Sequence, residues 1–91
     1  MEYKMFLIGC FTSGKEYREG FTGAPQLANA TMKIWHNDAC MEPIAIEMAD
    51  GTRLAFWDDP NSPYHEWILD KSAVPDWVYT ILYDRYVKGA Q

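Results

Sequence analysis

Apolar and polar residues along this chain fall into two kinds of segment, some with the two-residue period of a strand and some with the 3.6-residue period of a helix. Residues 3–12 combine the apolar run Met5-Phe6-Leu7-Ile8 with aromatic and small neighbours and stop at Ser13-Gly14. This predicts a strand buried on both faces, hence central in its sheet. Residues 13–30 hold Gly14, Gly20, Gly23 and Pro25 around the charged patch Lys15-Glu16-Tyr17-Arg18-Glu19 and show no sustained period. A long loop is expected there, with room for a short edge strand around Tyr17 to Phe21. From Thr31 to His36, Met32, Ile34 and His36 alternate with Lys33 and Trp35, which predicts a short strand ended by the turn residues Asn37-Asp38.

The clearest segment is 42–58. Ile44, Ile46 and Met48 alternate on one arm of a hairpin and Thr52, Leu54 and Phe56 on the other, with Asp50-Gly51 between. A two-residue loop would set Glu47 against Leu54 and Met48 against Arg53, mixing charge with apolar groups on both faces. A three-residue loop, Ala49-Asp50-Gly51 with Gly51 left-handed, pairs Ile44 with Phe56, Ile46 with Leu54 and Glu47 with Arg53. The second register segregates the faces and is the one predicted.

Two helices are expected after the hairpin. Ser62 can cap a short one over about 63–70, with Pro63 at its first position and Tyr64, Trp67 and Ile68 on one face. A longer one over about 74–88 tolerates Pro75 in its first turn, gains from Asp76 near its positive end and stops at Gly89. Val74, Trp77, Val78, Ile81 and Leu82 form its apolar stripe. The expected fold is therefore α+β: one domain over residues 1–91, a small, mostly antiparallel sheet of three to four strands with two C-terminal helices on one face.

Composition narrows the function. Thirteen acidic against eight basic residues give a net charge of −5 without any Lys/Arg cluster, which disfavours direct binding to duplex nucleic acid. No apolar run approaches the roughly 20 residues of a membrane span. Leu7-Ile8-Gly9-Cys10 has the residue types of a lipoprotein cleavage site, but acidic Glu2 and a short apolar stretch argue against an export signal. The expected location is cytoplasmic, with Cys10 and Cys40 reduced.

Motifs for chemistry are sparse. Gly9-Cys10-Phe11-Thr12-Ser13-Gly14-Lys15-Glu16 matches a phosphate-binding loop at its glycines and lysine, yet Glu16 stands where a Ser or Thr hydroxyl would hold magnesium. His36, Asp38, Cys40 and Cys10 do not have the paired close spacing of a zinc site, and Asp58, Asp59 and Asn61 lack the pattern of a calcium loop. His65, Glu66 and Asp70 offer no acid–base constellation beyond chance adjacency. No catalytic residue, metal or cofactor is assigned, and the chain is read as not an enzyme.

A surface for a protein partner is better supported. Tyr79, Tyr83 and Tyr86 recur at i, i+4 and i+7 beside the apolar stripe of the last helix, with Asp76 nearby, and tyrosine is enriched where binding energy concentrates. Trp35, Ala55 and Trp57 are expected on the sheet face opposite the helices as a second aromatic patch. The function expected by elimination is a small acidic protein-binding module. It would be an inhibitor or adaptor acting on a larger macromolecular complex, of the kind common among phage and mobile-element accessory proteins. Its acidic surface could compete with nucleic acid for a basic groove. One alternative is a small-ligand or nucleotide binder using Gly14, Lys15 and Arg18 of the 13–30 loop. Another is a homo-oligomer, a homodimer among them, pairing through its sheet edge or aromatic face.

Overall fold

The computed structural model describes residues 4–36, 40–59, 62–64 and 66–88. Its elements run β1 (Met5–Phe11), β2 (Glu16–Phe21), α1 (Ala24–His36), β3 (Met41–Glu47), β4 (Arg53–Ala55) and α2 (Asp76–Leu82). A 3₁₀ turn at Lys71–Ala73 precedes α2, and a π-helical turn, Tyr83–Lys88, continues it. The four strands form one sheet in the order β2-β1-β3-β4, antiparallel throughout. The α+β class and the interior place of β1 agree with the sequence pattern. No helix among the described residues is long and apolar enough to cross a membrane.

The hairpin of β3 and β4 has the predicted register. Ile46 pairs with Leu54 and Glu47 with Arg53, and the Phe56 amide donates to the Ile44 carbonyl at 2.9 Å. Gly51 closes the loop at φ 91°, with its amide donating to the Met48 carbonyl at 3.0 Å. Only glycine enters that left-handed region without strain, so the loop length and the register both follow from its position.

Three predicted elements are corrected. Residues 13–30 are not a long loop: a tight turn at 12–14 leads into β2, and from Ala24 the chain is helical. Residues 31–36 are not a strand but the second half of α1. Leu27, Ala30, Thr31 and Ile34, at i, i+3, i+4 and i+7, make the buried stripe of that helix, and Pro25 sits in its first turn, where a missing amide hydrogen is harmless. None of the described residues of 63–70 is helical. Trp57 and Trp67 form an antiparallel bridge, with the Ile68 amide donating to Phe56 at 2.8 Å and the Asp58 amide to Glu66 at 3.3 Å. This tertiary pairing overrides the local helix signal, and Ser62 accepts from the Tyr64 amide at 3.1 Å within a turn rather than at the start of a helix. Thus one helix, not two, lies in the C-terminal region. Pro75 precedes α2 as its cap residue, and its carbonyl accepts from Val78 and Tyr79. The predicted stop at Gly89 lies outside the described residues.

The core lies between the sheet and the two helices. Met5 and Leu7 of β1 and Ile46 of β3 meet Leu27, Ala30 and Ile34 of α1 and Val78 and Leu82 of α2, with Phe21 and Phe56 at the sides. Gly9 permits the closest approach there. A Cβ at that position would stand 2.7 Å from the Met41 sulfur and 3.3 Å from Ile34 Cδ1. Between Ile8 and Gly9 the β1–β3 register shifts, next to this contact.

Candidate functional site

The face of the sheet away from the helices carries charge rather than the aromatic patch expected from the sequence. Cross-strand partners share a face, so Glu16 and Arg18 of β2, Ile8 of β1, Ala45 and Glu47 of β3, and Arg53 and Ala55 of β4 all point there. Arg53 donates through both terminal nitrogens to Glu16 at 2.8 Å and through Nε to Glu47 at 3.0 Å. Arg18 pairs with Glu47 and lays its guanidinium 4.5 Å from the Phe6 ring. Ile8 is fully buried although no helix covers it, because these long side chains lie across it. The Arg53 guanidinium holds the Glu16 carboxyl below the usual carboxylate range.

The sequence-predicted aromatic residues are distributed differently. Trp35 belongs to α1, where it is half-buried under the Arg85 guanidinium at 4.9 Å. Tyr86 is buried, with its hydroxyl donating to the Thr31 carbonyl at 3.3 Å. The wider winding of the π turn rolls Tyr86 off the Tyr79–Tyr83 flank and onto the buried row of Val78 and Leu82. Burial raises the Tyr86 phenol above its ordinary value.

Trp57, Tyr79 and Tyr83 do come together, and the residue joining them is Trp67. Its ring meets Trp57 edge-on at 5.3 Å, Tyr79 at 5.9 Å and Tyr83 at 6.3 Å, while Tyr79 and Tyr83 stack on each other at 5.9 Å with an interplanar angle of 18°. Both indole N–H groups are engaged, Trp57 donating to the Pro43 carbonyl and Trp67 to the Tyr79 hydroxyl, each at 3.2 Å. The result is a fixed aromatic ladder between α2 and the Trp57–Trp67 bridge. Its outermost ring is Tyr83, 39% exposed. Sequence reasoning placed Trp67 on a short helix and so missed its role. The signal that could have found it is the pair of tryptophans ten residues apart on either side of a segment rich in the turn-forming residue types Pro, Asn and Ser. Asp76 is exposed in the first turn of α2.

Gly14, Lys15 and Arg18 do not assemble an anion site. Gly14 and Lys15 form the β1–β2 turn, where the Phe11 amide donates to the Lys15 carbonyl at 2.8 Å, and Arg18 is committed to Glu47 and Phe6. The turn opens into a strand, so no helix N-terminus faces it. Among the described residues no group of three or more His, Cys, Asp or Glu side chains could hold a metal ion. Asp38, Asn61 and His65 lie outside the described residues. Comparison of the chain with protein-family models, with curated proteins and with solved structures returned no match in any of the three.

Proposed function

We propose that this chain is a small protein-binding module, an inhibitor or adaptor acting on a larger macromolecular complex, and that it engages its partner through the Trp57–Trp67–Tyr79–Tyr83 ladder. The observation that carries this reading is the ladder itself. Four large rings are locked against one another with one left open to solvent, so a partner gains aromatic contact area with little side-chain freedom lost on binding.

Charge supports a basic surface on the partner. Between residues 56 and 88 the chain carries the acids Asp58, Asp59, Glu66, Asp70, Asp76 and Asp84 against the bases Lys71, Arg85 and Lys88. On the sheet and α1, by contrast, Glu16, Glu19 and Glu47 are neutralised by Arg53, Lys33 and Arg18. The segment that carries the ladder thus holds an excess of acids, with Asp58, Glu66 and Asp84 next in sequence to Trp57, Trp67 and Tyr83, and this excess would steer a cationic surface toward the rings.

The test is affinity capture from lysate at about 0.15 M salt, where long-range charge is largely screened, with a folded Tyr83→Ala variant beside the wild type. A protein retained by the wild type and lost by the variant supports both the reading and the surface. Equal retention by the two would sink this choice of surface.

A further inference from the structure

We propose that two copies of this chain join through β2, antiparallel and centred on Tyr17, so that their four-stranded sheets become one continuous sheet. β2 is the outermost strand, and its far side carries main-chain groups that no described strand pairs. Which groups those are follows from the hairpin. The Phe11 amide bonds to the Lys15 carbonyl, and the β1–β2 register then runs without a shift from Cys10 and Glu16 to Met5 and Phe21. Hydrogen-bonded pairs alternate along an antiparallel ladder. Tyr17, Glu19 and Phe21 therefore turn their peptide groups toward β1, and Glu16, Arg18 and Gly20 turn theirs outward.

Charged side chains ordinarily protect such an edge. Here their order invites one particular partner. Lys15, Glu16, Tyr17, Arg18 and Glu19 read positive, negative, neutral, positive, negative, a pattern that reverses sign about Tyr17. On a twofold axis through Tyr17, Lys15 of one copy faces Glu19 of the other and Glu16 faces Arg18, so every charged position meets its opposite. Backbone parity agrees, because Glu16 and Arg18 both point outward and can exchange main-chain hydrogen bonds. Moving the axis to Glu16, Arg18 or Glu19 would set that charge against itself. The β4 side offers no rival edge of this length, since beyond that three-residue strand residues 56–58 are already paired with 66–68.

The space beside the edge fits the arrangement. A groove of about 350 Å³ between β2 and α1, lined in part by Glu19, Gly20, Gln26, Asn29 and Lys33, opens where Lys15 of the second copy would arrive beside Glu19. Joined in this way, the two copies hold their aromatic ladders at opposite ends of the combined sheet, beyond each β4. A bivalent arrangement of this kind raises avidity without any new contact. The dimer does not depend on the protein-binding proposal, and its test uses no partner.

Sedimentation of the wild type at concentrations up to roughly 200 µM should show a dimer. Lys15 is exposed and its side chain has no ion-pair partner among the described residues, so Lys15→Glu should keep the wild-type circular dichroism while raising the dimer dissociation constant by about tenfold or more. Glu19→Lys should weaken the dimer likewise, and mixing the two variants should restore it as a heterodimer in which all facing charges are again opposite. A wild type that stays monomeric at the highest concentration overturns the proposal. So does a dimer that Lys15→Glu leaves unchanged, which would place the contact elsewhere. Lys15→Glu alone decides the matter if Glu19→Lys loses its fold, since Glu19 also pairs with Lys33.

Discussion

Arg53 and Glu16 meet across the full width of the sheet, a bidentate pair at 2.8 Å that ties β4 to β2 over the two strands between them. Residues 37 apart in sequence thus brace the face that carries no helix. Arg53→Met keeps the aliphatic stem over that face and removes the fork. The expected result is a lower urea midpoint at low ionic strength, with the difference from wild type shrinking toward about 1 M salt, where the screening length falls to about 3 Å. Urea titrations of both proteins at low and high salt check this. A difference that does not change with salt would show that packing rather than charge had been lost.

The ion pairs contribute to the acid limb of stability, and the buried phenol contributes to the alkaline limb. Glu16 and Glu19 are held below their ordinary value of 4.5 by hydrogen bonds from Arg53 and Lys33 respectively. The unfolded chain therefore binds more protons than the fold once pH drops to about 4.5, and stability should fall as pH is lowered from there through the depressed folded values. Tyr86 is raised by burial, and Tyr17 by its hydrogen bond to Glu19, above their ordinary 10.0. There the unfolded chain releases protons first, so the stability present below pH 10 should be lost as pH rises beyond it. Urea midpoints measured across the pH range give both limbs. Tyr86→Phe should flatten the alkaline limb and cost about 1 kcal/mol at neutral pH for its bond to Thr31.

How much of this was legible in the sequence depended on whether neighbours along the chain or neighbours in space decide each residue's place. The 42–58 hairpin was readable because only one register separates Glu47 and Arg53 from Ile46 and Leu54. β1 was readable from its apolar run. α1 was not, because Met32, Ile34 and His36 satisfy a strand's alternation over six residues while Leu27, Ala30, Thr31 and Ile34 satisfy a helix's stripe over eight, and Gly23 and Pro25 masked its start. Trp67 pairs with Trp57 through a contact that no local pattern contains. Tyr86 leaves the Tyr79–Tyr83 flank only because the helix widens after Leu82. The charged sheet face required residues 16, 18, 47 and 53 to be brought together by topology, and the expected patch of Trp35 and Trp57 dissolved once Trp35 proved helical.

Gly51 gives a direct test of the loop on which the hairpin register rests. Its φ of 91° is a conformation that L side chains rarely adopt, and nothing lies within 4 Å of a Cβ built there. Gly51→Ala should therefore destabilise through backbone strain alone, by about 1 to 2 kcal/mol, without displacing any neighbour. The measurement is the urea midpoint together with near-ultraviolet circular dichroism, which should keep its wild-type shape. A neutral substitution would show that the turn relaxes into another geometry.

The ladder predicts a separation between binding and stability that distinguishes its rings. Trp67 touches Phe56, Trp57, Tyr79 and Tyr83 and donates to Tyr79, so Trp67→Ala opens a cavity beside the core and should cost about 3 to 5 kcal/mol, most of the stability expected of a chain this small. Tyr83 is the exposed end of the same ladder, where its ring meets those of Trp67 and Tyr79. Tyr83→Ala should stay folded, with a loss near 1 kcal/mol or less, yet weaken a captured partner by more than about 1 kcal/mol. Thermal unfolding of both variants, followed by titration of the partner into folded Tyr83→Ala, decides between two roles for the rings. If Tyr83→Ala loses stability and leaves binding unchanged, the ladder is an extension of the core and the partner surface lies elsewhere.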